Sequence, residues 1–183
     1  MCSSRFWLFR GLVAVVAGLM LLSWFMPWWS ADVIALSLKK AVGIYSWGLS
    51  YDVGVLETYI RGAGMPAFFA PLMWAYLGIC IAALLYGSWT RDKGARLVGK
   101  DIKLSKLLIG LVGISYLVVA VVAIISAAIS TGDYYGVKLI GDTVVSWGAA
   151  QSAIVARLEL GYWLAYSAGL LCIVLALVRD KIV

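Results

Sequence analysis

Apolar residues run along this chain in four long blocks, and the stretches between them hold most of its charged residues. The blocks extend roughly from Phe9 to Trp28, Pro66 to Gly87, Leu104 to Ile129 and Leu160 to Val178. A helix needs about 20 apolar residues to cross ~30 Å of hydrocarbon, so each block predicts one transmembrane helix. None holds an Asp, Glu or Arg in its middle, and Lys106 stands near the start of the third, where its stem can snorkel. The first block has the outline of a signal peptide, with Arg5 and Arg10 ahead of the apolar run. It is too long for one, and Ser23-Trp24-Phe25-Met26-Pro27 offers no small-x-small cleavage site. A retained first span is expected.

The stretches 29–65 and 130–159 change period. Val33 to Leu38 and Ala41 to Trp47 are rich in β-branched and aromatic residues and flank Lys39-Lys40, which predicts two strands. Asp52 can cap a short helix over 53–61, with Glu57 and Arg61 four apart. Val137 to Ile140, Gly141-Asp142 and Thr143 to Trp147 predict a hairpin with a two-residue turn. Ala149 to Glu159 can also extend the fourth helix outward. Strands from both stretches can join in one sheet, which must stand clear of lipid because unpaired backbone groups there cost several kcal/mol each.

Composition and charge set the class and the orientation. Hydrophobic residues make up 64% of the 183, charged residues 13%, and mean hydropathy is +0.99. A soluble domain carries about 25% charged residues, so the lipid bilayer is the expected surrounding. The net charge of +6 would suit nucleic acid only if gathered on a solvated domain. Instead Arg5, Arg10, Arg91, Lys93, Arg96, Lys100, Lys103, Lys106, Arg179 and Lys181 fall on one side of the predicted spans. Lys39, Lys40, Arg61, Lys138 and Arg157 fall on the other, with six of the nine acidic residues. The positive-inside bias therefore predicts cytoplasmic termini, two outer loops and a multi-pass protein of the plasma (cytoplasmic) membrane. No nucleic-acid partner is expected. Trp24, Phe25, Trp28, Trp29, Tyr162, Trp163 and Tyr166 are expected as aromatic anchors at the outer boundary, with Phe6, Trp7, Tyr86 and Trp89 at the inner one.

Little in the sequence points to chemistry. There is no histidine, which removes a Ser-His-Asp triad and an imidazole relay and makes haem, copper or di-iron ligation a poor reading. Cys2, Cys80 and Cys172 form no C-x-x-C pair, and none lies in an outer loop. Asp32, Asp52, Glu57, Asp133, Asp142 and Glu159 lack the spacing of a calcium loop. The expectation is no catalytic residue, no cofactor and no metal.

Two further patterns concern assembly. Ser46-Trp47-Gly48 recurs as Ser146-Trp147-Gly148, and Arg91-Asp92-Lys93 as Arg179-Asp180-Lys181. The chain, one four-span domain over 1–183, can thus be read as a parallel repeat of 1–93 and 104–181, and chance is the competing explanation. Each span also carries a small-xxx-small pair: Ala14 with Gly18, Gly78 with Ala82, Ala123 with Ala127, and Ala165 with Gly169. Such pairs let helices approach closely in lipid.

Pro27-Trp28-Trp29, then Trp47-Gly48-Leu49 in a strand-like loop, then Arg61 before the second span resemble the pattern of the claudin-type tetraspan superfamily. Here Ser50 stands where that family has a second tryptophan, and the first loop has no cysteine pair. The resemblance implies four spans, cytoplasmic termini, a small extracellular sheet, and roles in cell contact, barriers or membrane complexes.

The sequence therefore predicts a membrane all-α fold: a four-transmembrane-helix bundle with both termini cytoplasmic and a small extracytoplasmic β-sheet from the two outer loops. Its expected role is that of a non-catalytic accessory or structural subunit, with other integral membrane subunits or copies of itself as partners. A claudin-like self-associating adhesion or barrier protein is the alternative, and a small oligomeric transporter or lipid-handling protein the third reading. Trp47, Gly48, Leu49, Trp147 and Gly148 are the candidate contact or sheet-core residues.

Overall fold

The computed structural model describes residues 2–34, 38–51, 66–89, 94–97, 100–135, 138–147 and 150–182. The apolar blocks are carried by α1 (Cys2–Phe25), α2 (Phe69–Trp89), α3 (Leu104–Tyr135) and α4 (Leu160–Ile182). All four are long and apolar enough to cross a membrane, over Phe6–Phe25, Phe69–Trp89, Leu104–Ile129 and Leu160–Arg179. Pro27 explains the end of α1, because it lacks an amide donor and drives the residue before it out of helical geometry. Pro71 is tolerated inside α2 because it lies in the first turn, where amides have no intrahelical acceptor.

Each helix buries residues spaced by three and four, which places them on one face. These are Phe9, Val13, Val16, Met20 and Trp24 on α1, and Leu77, Cys80 and Leu84 on α2. Ile109, Val112, Tyr116 and Ala120 face them from α3, and Ala165, Ala168, Cys172 and Leu175 from α4. The remaining faces expose leucine, isoleucine and valine, as lipid contact requires. The α3–α4 crossing depends on glycine: a Cβ added at Gly113 would meet Cys172 Cβ at 2.8 Å, and one at Gly169 would meet Leu117 Cγ at 2.8 Å.

Seven described strands lie between the helices: β1 (Trp29–Val33), β2 (Leu38–Tyr45), β3 (Gly48–Tyr51), β4 (Gly94–Leu97), β5 (Lys100–Lys103), β6 (Gly141–Trp147) and β7 (Ala150–Leu158). Five form one antiparallel sheet in the order β3-β2-β1-β7-β6, drawn from both long connections. β4 and β5 form a hairpin in the basic connection, where the sequence reading has no strand. The sheet stands at the end of the bundle where Trp24 meets Trp74 and Trp28 meets Tyr162. At the other end Arg10 lies against Trp89 and Arg179 against Phe9, so the first turns of α1 and the last of α4 share the end of the β4–β5 hairpin.

Several expectations are corrected. The first strand begins at Trp29 rather than Val33, and Lys39-Lys40 lie inside β2 rather than between strands. Pairing with β7 explains the shift: Trp29 opposes Leu158 and Ala31 opposes Ala156, which puts Trp29, Ala31, Ile154, Ala156 and Leu158 on one buried face. Residues 150–158 are strand and not an extension of α4, although Ala and Leu favour helix. As a central strand, β7 pairs on both sides over Ile154–Ala156, and that ladder outweighs local propensity. Gly141 begins β6 with φ +106° rather than sitting between two strands, and the partner of β6 is β7. The expected helix over 53–61 lies outside the described residues. Trp24, Trp28 and Trp29 are buried and not interfacial anchors, whereas Phe25, Trp163, Trp7 and Trp89 are exposed.

Candidate functional site

The best-built site is the junction between bundle and sheet. With α1 ended at Pro27, the chain turns directly into β1, and three backbone hydrogen bonds fix it there. Trp28 N–H donates to the Ile44 carbonyl (2.7 Å), Glu159 N–H to the Trp28 carbonyl (3.0 Å) and Gly161 N–H to the Pro27 carbonyl (3.2 Å). The entrance to β1 is thereby tied to the exit of β7 and the first turn of α4. Only glycine suits position 161, since a Cβ there would lie 2.6 Å from the carbonyl oxygens of Met26 and Pro27.

Two indoles fill this junction. Trp28 Nε1 donates to the Ser23 carbonyl at 2.9 Å, which is left open as α1 ends, and its ring meets Tyr162 edge-on. Trp29 Nε1 donates to the Leu139 carbonyl at 2.7 Å, joining β1 to the segment before β6. On the sheet's other face Ser30 Oγ donates to Glu159 Oε1 at 2.6 Å, and Arg157 bridges Glu159 (2.9 Å) and Asp32 (3.2 Å). Arg157 opposes Ser30, and Asp32 lies two positions along, the diagonal at which long side chains meet across strands. The Glu159 hydrogen bond, and then the Asp32 charge, raise the Arg157 pKa, so its guanidinium stays charged.

Within the bundle two pairs of hydroxyls meet across helices. Ser23 and Tyr116 hydroxyls lie 2.9 Å apart, with Ser23 also donating to the Met20 carbonyl. Tyr76 and Ser115 hydroxyls lie 3.0 Å apart, and the Tyr76 and Tyr116 rings stack at 6.4 Å. Such bonds act as glue between spans, each worth about 0.6 kcal/mol in lipid. Cys80 and Cys172 are buried free thiols in the same core. Among the described residues, no group of three or more His, Cys, Asp or Glu is placed to hold a metal ion.

The sequence candidates are dispersed. Trp47 lies in the β2–β3 turn at the bundle side of the sheet, stacked on Tyr45 at 5.3 Å and packed against the core. Gly48 pairs with Tyr45 and Leu49 with Ile44. Trp147 ends β6 opposite Ala150, at the far end of the β6–β7 hairpin. Its side chain and Gly148 lie outside the described residues. The distance along β7 from Ala150 to Leu158 is about 26 Å at ~3.3 Å per residue, so the two Ser-Trp-Gly triplets occupy opposite ends of the sheet. β3, after the first triplet, is an edge strand, whereas β7, after the second, is central.

Of the small-residue pairs, Gly169 lies in the tight α3–α4 contact and Ala165 is buried, and Ala127 is buried with Ala123 half-buried. Ala14, Gly78 and Ala82 are exposed, and a Cβ at Gly18 or Gly78 would meet nothing within 4 Å. Among the described residues these two pairs form no close helix contact; large residues such as Phe9 and Trp24 define the inner face of α1 instead. The sequence reading passed over Gly161, Gly113 and the Ser23–Tyr116 pair. Ser23 and Tyr116, polar groups deep in apolar runs, were the signal available for the last.

The fold thus defines a four-helix, membrane-type bundle capped at one end by a sheet from both long connections. Compared with protein-family models, with curated proteins and with solved structures, the chain gives no match.

Proposed function

We propose that the chain is a non-catalytic accessory or structural subunit of a larger integral membrane complex, in the plasma (cytoplasmic) membrane, with both termini cytoplasmic and the sheet outside. The observation that carries this reading is the anchored sheet. β1 pairs with β7 only over Ile154–Leu158, whereas β6 pairs along the whole of Ala150–Ala156. Among the described residues, 144–147 and 150–153 therefore form a two-stranded arm beyond β1, with Trp147 at its end. An arm projecting from a fixed base suits contact with a neighbour, and Val144 on its edge strand is exposed. The faces bearing Ala14 with Gly18 and Gly78 with Ala82 suit neighbouring helices, since among the described residues nothing lies within 4 Å of a Cβ at Gly18 or Gly78. The orientation rests on the ten-to-five division of Lys and Arg.

Extraction in mild detergent followed by native mass measurement tests this. Stoichiometric co-purification with unrelated membrane subunits is expected, and a ladder of homo-oligomers alone would sink it. The second outcome would select claudin-like self-association, a reading supported by the five-stranded sheet drawn from both loops with Trp47-Gly48-Leu49 at the β2–β3 turn.

A further inference from the structure

At the end of the bundle away from the sheet, Arg10 is surrounded by aromatic rings. Its guanidinium carbon lies 4.1 Å from the Phe6 ring centroid, 5.0 Å from that of Trp89 and 5.4 Å from that of Trp7. Rings satisfy the faces of a guanidinium by cation–π attraction, but its N–H donors lie in its plane and need acceptors. Arg10 Nε is buried with no hydrogen-bond partner, and no carboxylate pairs with Arg10 among the described residues.

The setting narrows what the acceptor can be. Arg10 is one turn inside the apolar span that begins at Phe6. Helical side chains lean toward the N-terminus, so its guanidinium rises to the level of Phe6, toward the membrane boundary. Trp7 and Trp89 on either side are 64% and 71% exposed, so the site opens sideways where lipid would lie. Tryptophan at that level is a headgroup-region residue, and a planar guanidinium matches two phosphate oxygens at once. By sequence, ten of the fifteen basic residues fall on this side of the four spans, which favours an anionic ligand over a zwitterionic one.

We infer that Arg10, framed by Phe6, Trp7 and Trp89 between α1 and α2, is a binding site for the phosphate of an anionic phospholipid. Arg179 is a different case: it is inside the bundle against Phe9, on another flank of α1.

The test is lipid titration of the purified full chain in mild detergent, read by native mass. Dioleoylphosphatidylglycerol is the probe, with dioleoylphosphatidylcholine and inorganic phosphate as comparators. One phosphatidylglycerol adduct is expected to outlast the others, with affinity falling about tenfold in Arg10→Gln, the effect of losing one charge-assisted hydrogen bond. Arg10→Lys, which keeps charge but loses the planar fork, should fall between. Trp89→Leu alters an exposed ring and should also weaken retention, which keeps the test open if Arg10→Gln fails to fold. Arg96→Gln removes one charge from the β4–β5 hairpin and should leave retention unchanged. The proposal is overturned if Arg10→Gln binds phosphatidylglycerol like the parent, if Arg96→Gln loses as much, or if inorganic phosphate competes as well as the lipid.

Discussion

The two ends of the bundle solve the problem of leaving the hydrocarbon in opposite ways. At the sheet end Trp24, Trp28 and Trp29 turn inward, and the indole N–H groups of Trp28 and Trp29 are spent on backbone carbonyls freed where elements end. At the other end tryptophans stay outside and frame an arginine. The first end is held by backbone hydrogen bonds and close packing, so it tolerates little change in volume. The second depends on long side chains that can adjust. Substitutions that change buried volume should therefore be costly at the sheet end, and those at exposed rings mild at the other.

The sharpest contrast is between two tryptophans. Trp28→Ala should destabilise by about 3 kcal/mol or more, the usual cost of emptying a buried aromatic site. Trp89→Ala, at an exposed position, should shift stability by about 0.5 kcal/mol or less. Thermal unfolding in detergent would measure both, and equal effects would erase the distinction.

Glycines give the next comparison. Gly161→Ala forces a methyl group against two backbone oxygens, so the junction must open, at about 1–3 kcal/mol or beyond. Gly18→Ala meets nothing within 4 Å and gains helix propensity, so it should be neutral or slightly stabilising in the isolated chain. Well below Gly161→Ala comes Ser23→Ala, which leaves Tyr116 a 3.4 Å contact with the Met20 carbonyl and should cost about 0.6 kcal/mol. Asp32→Asn is mild as well, and it alone depends on salt. Arg157 is half-exposed, so its loss of this partner should cost under about 1 kcal/mol and vanish with added salt, because exposed ion pairs are screened.

The bundle was legible in the sequence because lipid imposes one simple requirement. A run of about 20 apolar residues is a sufficient signal, and the four blocks of this chain coincide with the four helices to within a few residues. The existence of a sheet was legible too, from β-branched and aromatic clusters in both long connections. Its register was not, because register depends on which partner a strand finds. β7 looks helical by composition and becomes a strand only because β1 and β6 flank it. For the same reason the Trp28 and Trp29 sites were hidden. An interfacial tryptophan and a buried one look alike in sequence, and only the hydrogen bonds to Ser23 and Leu139 separate them. Gly161 carried no local signal, since the carbonyls it must clear belong to residues more than a hundred positions away. The Ser-Trp-Gly recurrence illustrates the converse: the same triplet lies beside the bundle at Trp47 and at the far end of a hairpin at Trp147.

The central claim is that both long connections form one platform fixed to the bundle through the Trp28–Gly161 junction. Backbone hydrogen exchange in a lipid nanodisc measures this directly. The amides of Trp28, Glu159 and Gly161 should exchange as slowly as those in the middle of α4, and much more slowly than those of the β4–β5 hairpin. Exchange at Glu159 and Gly161 as fast as in that hairpin would show that the sheet is not fixed to the bundle and would contradict the claim.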